Sequence, residues 1–212
     1  MTSPSRWLRI AWFRAGDNGP CPIRGEGRTL PLGEAFSDVL QAARGRAPWA
    51  LERLYADLAP AVAGYLRVQR ASEPEDLVSE VFLGVFRGLG SFQGTEPQFR
   101  SWVFTIAHRR LLDERRRAAR RPHLEPVRAE LTAPGGDVER EAFDSLGEQW
   151  VIKVCAQLST DQCTVLLLRV VADLSVAEVA RVTGKTAGAV KALQRRALEV
   201  LRRRLAREGI LL

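Results

Sequence analysis

Apolar residues recur at three- and four-residue intervals through most of the chain, the periodicity of amphipathic helices. Ala50, Leu51, Leu54, Tyr55, Leu58, Val62 and Leu66 trace one side of a first long helix. Ser72 followed by Glu75 reads as a capping box, with Pro74 in the first turn, where a missing N–H costs little. The helix it opens carries Leu77, Val81, Phe82 and Val85 on one side and stops around Gly88 to Gly90. A glycine-punctuated loop, residues 91–97, leads into a further helix from about Gln98 to Ala118, which Pro122 and Pro126 end. The polar stretch that follows, to about Asp144, has no period and reads as a linker, and a shorter helical unit then runs to the C-terminus. No long alternating run suggests a strand. The expected fold is all-α: two small helical domains, residues 34–121 and 145–212, joined by a flexible linker over 122–144 and preceded by an extension over 1–33.

The most specific pattern lies in the second unit. Ser175-Val176-Ala177-Glu178 is a capping box, Ala180 stands four residues before Gly184, and Val190 follows Gly184 by six. A small residue where two helices cross, a glycine for the left-handed turn and an aliphatic residue to lock the second helix make a helix-turn-helix. An ordinary helical hairpin is the plainer alternative. On the second helix Val190, Leu193, Ala197, Val200, Leu201 and Leu205 collect on one side, while Gly188, Lys191, Ala192, Arg195, Arg202 and Arg203 face away. Small residues let such a helix approach base edges, and Lys191 and Arg195 reach guanine acceptors or phosphates, so this helix is expected in a major groove.

Charge sharpens that picture. The 212 residues carry 32 basic and 25 acidic side chains, a net +7, and the arginines are clustered. Arg109, Arg110, Arg115, Arg116, Arg117, Arg120 and Arg121 form one group; Lys185, Lys191, Arg195, Arg196, Arg202, Arg203, Arg204 and Arg207 form another. Two basic clusters separated by an acidic connector suit two contacts on a long polyanion. Each cluster alone could instead complement the carbonyl end of its helix.

Other chemistry is poorly supplied. Cys21, Cys155 and Cys163 are odd in number and irregularly spaced, which argues against a disulfide framework and for thiols in a reducing cytoplasm. With His108 and His123 the only histidines, no metal site is expected, and no phosphate loop or activated nucleophile is visible. The chain therefore reads as a non-enzyme without a cofactor. Apolar stretches break well short of the ~18 residues a membrane-spanning helix needs. Trp7, Leu8, Ile10, Trp12 and Phe13, interleaved with arginines, make a poor signal peptide and are left without a function.

The first unit offers two unlike surfaces. Ser101, Thr105, His108, Arg115 and Arg116 share one side of the 98–118 helix, next to a loop bearing Phe92 and Gln93; cations beside aromatics suit single-stranded DNA. Phe99 and Trp102 are expected in the core, with Phe92 open between the two uses. The preceding helix carries Glu73, Glu75, Asp76 and Glu80, an acidic face that would repel phosphate and bind protein or solvent instead.

These residues resemble a known family. Glu75-Asp76-Leu77-Val78-Ser79-Glu80-Val81-Phe82-Leu83, Phe99-Arg100-Ser101-Trp102-Val103-Phe104-Thr105-Ile106-Ala107 and Leu111-Leu112-Asp113 are similar to region 2 of extracytoplasmic-function sigma factors. Leu166-Leu167-Leu168-Arg169-Val170-Val171 and Leu174-Ser175-Val176-Ala177-Glu178-Val179-Ala180 are similar to their region 4. The resemblance implies a cytoplasmic promoter-specificity subunit of bacterial RNA polymerase. It implies that Asp76, Glu80 and Phe82 dock on the clamp helices of the largest core subunit, with further contact to the beta subunit. It assigns the minus-ten element to Phe92, Gln93, Arg100, Ser101, Thr105, His108, Arg109, Arg115 and Arg116, and the minus-thirty-five element to Lys185, Thr186, Ala187, Gly188, Lys191 and Arg195. A dedicated anti-sigma protein is implied as a further partner.

Two departures bear on the promoter rather than on the class. Where relatives commonly show Arg-Asn after Ile-Ala, this chain has His108-Arg109, exchanging a bidentate amide for a cation. After Val190-Lys191 many relatives continue Ser-Arg-Leu, whereas here Ala192-Leu193-Gln194 follows. A polymerase-independent helix-turn-helix regulator is the alternative reading; it leaves the acidic helix and the aromatic loop without a task.

Overall fold

A computed structural model describes residues 32–120 and 151–207, all helix, turn and loop. After a 3-10 turn at Gly33–Ala35 come α1 (Phe36–Arg44), α2 (Pro48–Val68), α3 (Pro74–Gly88) and α4 (Glu96–Arg120). Residues 151–155 are helical and lead into α5 (Thr160–Val170), α6 (Val176–Thr183) and α7 (Ala187–Arg207). The N-terminal extension, the expected linker and residues 208–212 lie outside the described residues.

In α1, Phe36, Val39, Leu40 and Ala43 bury the i, i+3, i+4, i+7 stripe that pins it to α2. Pro48 opens α2, where the lost N–H is an orphan in any case, and Pro60 sits exposed within it. The start of α3 departs from expectation. Glu73 rather than Ser72 occupies the cap, no side chain caps the helix, and the Ser72 N–H donates to the Glu114 carboxylate at 2.8 Å. Glu75 instead accepts two bonds from Arg67, at 2.8 and 3.0 Å. Gly88 earns its place at the other end, since a Cβ there would stand 2.8 Å from the Trp102 ring. Helix α4 runs through the middle of this unit, with Phe99, Val103, Phe104, Ala107 and Leu111 buried against α2 and α3.

The second unit is locally specified. Ser159 and Ser175 each form a complete capping box, with Gln162 and Glu178 returning the bond, so α5 and α6 both start where their own side chains direct. The Ser159 box is one that periodicity alone does not reveal. Arg169 is buried and donates to the Leu174 carbonyl, tying α5 to the turn before α6. Gly184 ends α6 in the left-handed conformation at φ +67°, as the helix-turn-helix pattern requires. Thr186 then accepts from the Ala189 N–H at 3.2 Å and so caps α7.

The two units touch. Helix α4 packs along α6, and one apolar cluster continues from Phe36 in the first unit to Val190 in the second. At its edge the Gln69 amide donates to the Thr164 hydroxyl at 2.7 Å, with both side chains buried. Arg115 closes the arrangement by donating to the Gln69 carbonyl at 2.6 Å and to its side-chain oxygen at 2.9 Å.

Candidate nucleic-acid interface

On α3, Asp76, Glu80 and Leu83 fall on one helical stripe, and all three are exposed, Leu83 by 53%. Glu80 has Arg110 of α4 at 3.8 Å, a loose surface pair. Phe82 sits elsewhere. It is 2% exposed, its ring 4.7 Å from that of Tyr55 and 5.8 Å from that of Phe86. Phe82 therefore backs the surface rather than forming it, and Tyr55, exposed by 43%, covers it. Tyr55 and Leu83 are members of this face that the sequence reading placed elsewhere or passed over; the available signal was an apolar residue out of phase on an acidic stripe.

The loop before α4 is held from several sides. The Arg44 guanidinium donates to the Phe92 carbonyl, and the Glu96 carboxylate accepts from the Leu32 and Gly33 N–H groups at 3.1 and 2.8 Å. Gln98 accepts from the Thr95 N–H at 2.9 Å, and a Cβ on Gly94 would stand 2.5 Å from that same Gln98 oxygen. The Phe92 ring stacks on Trp102 and meets Phe99 edge-on, at 5.1 and 5.2 Å, so Phe92 is half-buried and serves the core. Gln93, by contrast, is exposed, and with Phe36, Leu40, Gln41, Arg44 and Thr95 it lines an open groove between α1 and the loop.

Along α4 the candidate face divides. Arg109 and Arg116 are exposed, the latter paired with Asp113 at 2.9 Å. Arg100 turns inward to Asp57 at 3.3 Å, with Glu96 at 3.8 Å. Thr105 is half-buried and donates to the Ser101 carbonyl at 2.8 Å. Ser101 and His108, expected on the open side, are buried, 5% and 8% exposed. The cause is that α4 is flanked by α2, α3 and α6 at once, so it has no wide solvent side before its last turns. Arg115 is half-buried in the Gln69 contact.

His108 shares a 2.8 Å hydrogen bond with the Tyr65 hydroxyl through Nδ1. Burial, and next the nearby Arg115 charge, push its pKa down to about 4; Asp161 opposes the shift and Lys185 adds to it. Burial also pushes the Tyr65 hydroxyl up, keeping it neutral. The folded protein thus holds a neutral imidazole that the unfolded chain would protonate near pH 6.5. Folding stability contributed by this neutrality is complete above pH 6.5 and is lost as pH falls toward 4, by up to about 3 kcal/mol. Urea melts between pH 7.5 and 5 should show that fall in the wild type, and a much shallower one in His108→Gln.

On α7, Ala187, Gly188, Ala189, Lys191 and Arg195 are exposed in succession, while Val190, Ala197, Leu198 and Leu201 are buried. Gln194 is buried too, and Ala192 is half-buried rather than turned away, so the packed side is broader than a simple helical wheel suggests. Lys185 is half-buried and pairs with Asp161 at 2.9 Å, whereas Thr186 is exposed and caps the helix. Among the described residues no grouping of His, Cys, Asp and Glu could hold a metal ion, and no helix is long and apolar enough to cross a membrane.

Known proteins align with these two units. The family model described as Sigma-70 region 2 matches residues 54–121, and Sigma-70, region 4 matches residues 148–201. ECF RNA polymerase sigma factor BldN of Streptomyces coelicolor is 34% identical over 79% of this chain, and the match spans 65% of that protein's own length, just under two thirds. ECF RNA polymerase sigma factor ShbA of Streptomyces griseus is 33% identical over 60% of this chain and 69% of its own. The solved structure of CnrH in complex with the cytosolic domain of CnrY shares the fold, with a TM-score of 0.55 and 23% identity over 79% of this chain and 97% of that one. With both regions present in order, the chain belongs to the extracytoplasmic-function sigma factors of RNA polymerase.

Proposed function

We propose that this chain binds core RNA polymerase through the α3 face and directs initiation by engaging promoter DNA at two places. The observation that carries the reading is the segregation of surfaces. An acidic and apolar face on α3 stands apart from the exposed, cation-flanked α7 of a helix-turn-helix. Asp76 and Glu80 supply charge for the polymerase clamp helices, and Leu83 with Tyr55 supplies the apolar contact that Phe82 supports from behind. A protein partner suits this face, because a phosphate backbone would be repelled by it.

The helix α7 enters the major groove of the minus-thirty-five element. Ala187 and Gly188 permit close approach, Lys191 and Arg195 reach bases or phosphates, and Lys185 and Thr186 stand at its entry. For the minus-ten strand, Gln93 and the groove beside it are the accessible base contacts, with Arg109 and Arg116 holding phosphates. Phe92 and Arg100 hold the loop and helix in place, while Ser101 and His108 are buried and Thr105 and Arg115 half-buried, so these four offer DNA little of their side chains in this arrangement. Because His108 is inside, the cation in the His108-Arg109 pair that can meet DNA is Arg109, which favours phosphate contact over base reading at this step.

The protein so used is a cytoplasmic specificity factor with no catalysis of its own. CnrH has been solved with the cytosolic domain of CnrY, and we infer that an anti-sigma protein likewise restrains this chain. Transcription on a library of genomic fragments tests the reading. Purified core polymerase alone is expected to give no specific start sites, and core with this chain to give a discrete set sharing two spaced elements. Tight, specific operator binding by the isolated chain would instead favour a polymerase-independent regulator.

A further inference from the structure

Two thiols of the second unit have no part in polymerase or promoter contact. Cys155 ends the short helix over 151–155 and Cys163 lies near the start of α5; both are free and buried. They belong to one apolar cluster, and their side chains share a hydrogen bond. A buried cysteine usually serves as a small apolar filler. This pair differs in facing another thiol and in its charged neighbours.

The two sulfurs are unlike. The bond from Cys155 favours the thiolate of Cys163, burial opposes it, and the charges of Arg115 and Arg70 favour it again. The same bond, and then burial, hold Cys155 protonated. One thiol is thereby made the attacker and the other its resolving partner. The pair can also close. Residues 151–155 form little more than one helical turn, and Ala156 and Gln157 stand exposed before the Ser159 cap of α5. Sulfurs already in contact need only a short approach to the ~2.05 Å of a disulfide, which this single turn can make without moving α5.

We propose that Cys155 and Cys163 form a reversible dithiol–disulfide modification site whose oxidant is a hydroperoxide. The Cys163 sulfur attacks the O–O bond; an S–O bond forms, the O–O bond breaks, and hydrogen peroxide leaves water and a sulfenic acid. The Cys155 sulfur then attacks that of Cys163; the S–S bond forms, the S–O bond breaks, and the hydroxyl departs as water with the Cys155 proton. Two thiols and one hydrogen peroxide thus give one disulfide and two waters, with two electrons passing from sulfur to the peroxide oxygens. A dithiol reductant reverses the change by exchange. The bond pins the 151–155 helix to α5. Val154 of that helix packs on Leu166 of α5 and on Leu198 and Leu201 of α7, so closure fixes the brace beneath α7 and stabilises the helix-turn-helix unit against unfolding.

Full-length Cys21→Ser, which leaves these two as the only thiols, tests it. After millimolar hydrogen peroxide and alkylation, mass spectrometry should show the loss of two hydrogens, no alkylated cysteine and one internally cross-linked peptide, all reversed by dithiothreitol. The thermal midpoint followed by circular dichroism should rise by about 5–10 °C on oxidation. In the same background Cys155→Ser should leave Cys163 trapped as a sulfenic acid that dimedone captures, and Cys163→Ser should be captured at least about tenfold more slowly. A folded Cys21→Ser chain that keeps both thiols while glutathione in the same tube is consumed overturns the proposal, as does oxidation to sulfinic acid or to intermolecular dimers instead of the internal cross-link. Equal capture at the two cysteines overturns the roles assigned to them, and a disulfide that forms without raising the midpoint overturns the bracing.

Discussion

Reversing Asp76 and Glu80 to arginine together is expected to abolish capture of the chain by core polymerase, a loss of at least about a hundredfold in affinity. Both carboxylates are exposed on the same stripe of α3, so the substitution replaces two attractive charges with two repulsive ones at a single docking face, and like charges brought together there cost several kcal/mol. The fold has little at stake. Among the described residues, Glu80 is paired with Arg110, 3.8 Å away across a solvent-exposed gap, and such pairs contribute about 0–1 kcal/mol. The double variant should therefore melt within about 1 kcal/mol of wild type while failing to co-purify with core enzyme. Leu83→Ser separates charge from apolar contact: it removes exposed rather than buried surface, and it should weaken capture without abolishing it. Normal co-purification of Asp76→Arg with Glu80→Arg would remove α3 as the polymerase face.

The second large effect is expected on α7. Lys191 and Arg195 lie four residues apart on its exposed side, and each base contact of this kind is worth about 1–3 kcal/mol. Changing both to alanine should erase protection over the minus-thirty-five element in a footprint of the polymerase complex while leaving the docking step intact. Alanine is the best helix former and neither side chain is buried, so the helix itself is not weakened. Arg196→Ala, next to Arg195 and also exposed, distinguishes a general charge effect from base recognition by reducing affinity evenly across promoter sequences. An unchanged footprint in the Lys191→Ala, Arg195→Ala protein would mean that α7 lies in the groove with another side foremost.

Much of this architecture is written locally. The Ser175–Glu178 box, Ala180, Gly184 at φ +67° and Val190 specify the helix-turn-helix within sixteen residues, because each acts through neighbours one turn away. Helix existence along the first unit is legible for the same reason. Which face of a helix is open is not. Periodicity assigns one buried side, yet α4 meets three helices, so Ser101 and His108 lie inside although they fall on its polar side. Phe82 and Tyr55 show the converse: two aromatic rings meet at a tilt, and Tyr55 rather than Phe82 is the one left at the surface. The expected Ser72 box fails through competition at a distance, since Glu114, 42 residues on, takes the Ser72 N–H and Arg67 takes Glu75. The Gln69–Thr164 bond joins positions 95 apart, and no window along the chain contains both.

The clasp on the loop before α4 has an evolutionary consequence. Arg44 grips a main-chain carbonyl and Glu96 grips two main-chain N–H groups, so the loop is moored at its ends by contacts indifferent to the identity of the residues at its tip. Gln93 and Thr95 are exposed between those moorings. Descendants of this chain can therefore exchange tip side chains, and on the function proposed above the promoters they select, without renegotiating how the helices pack.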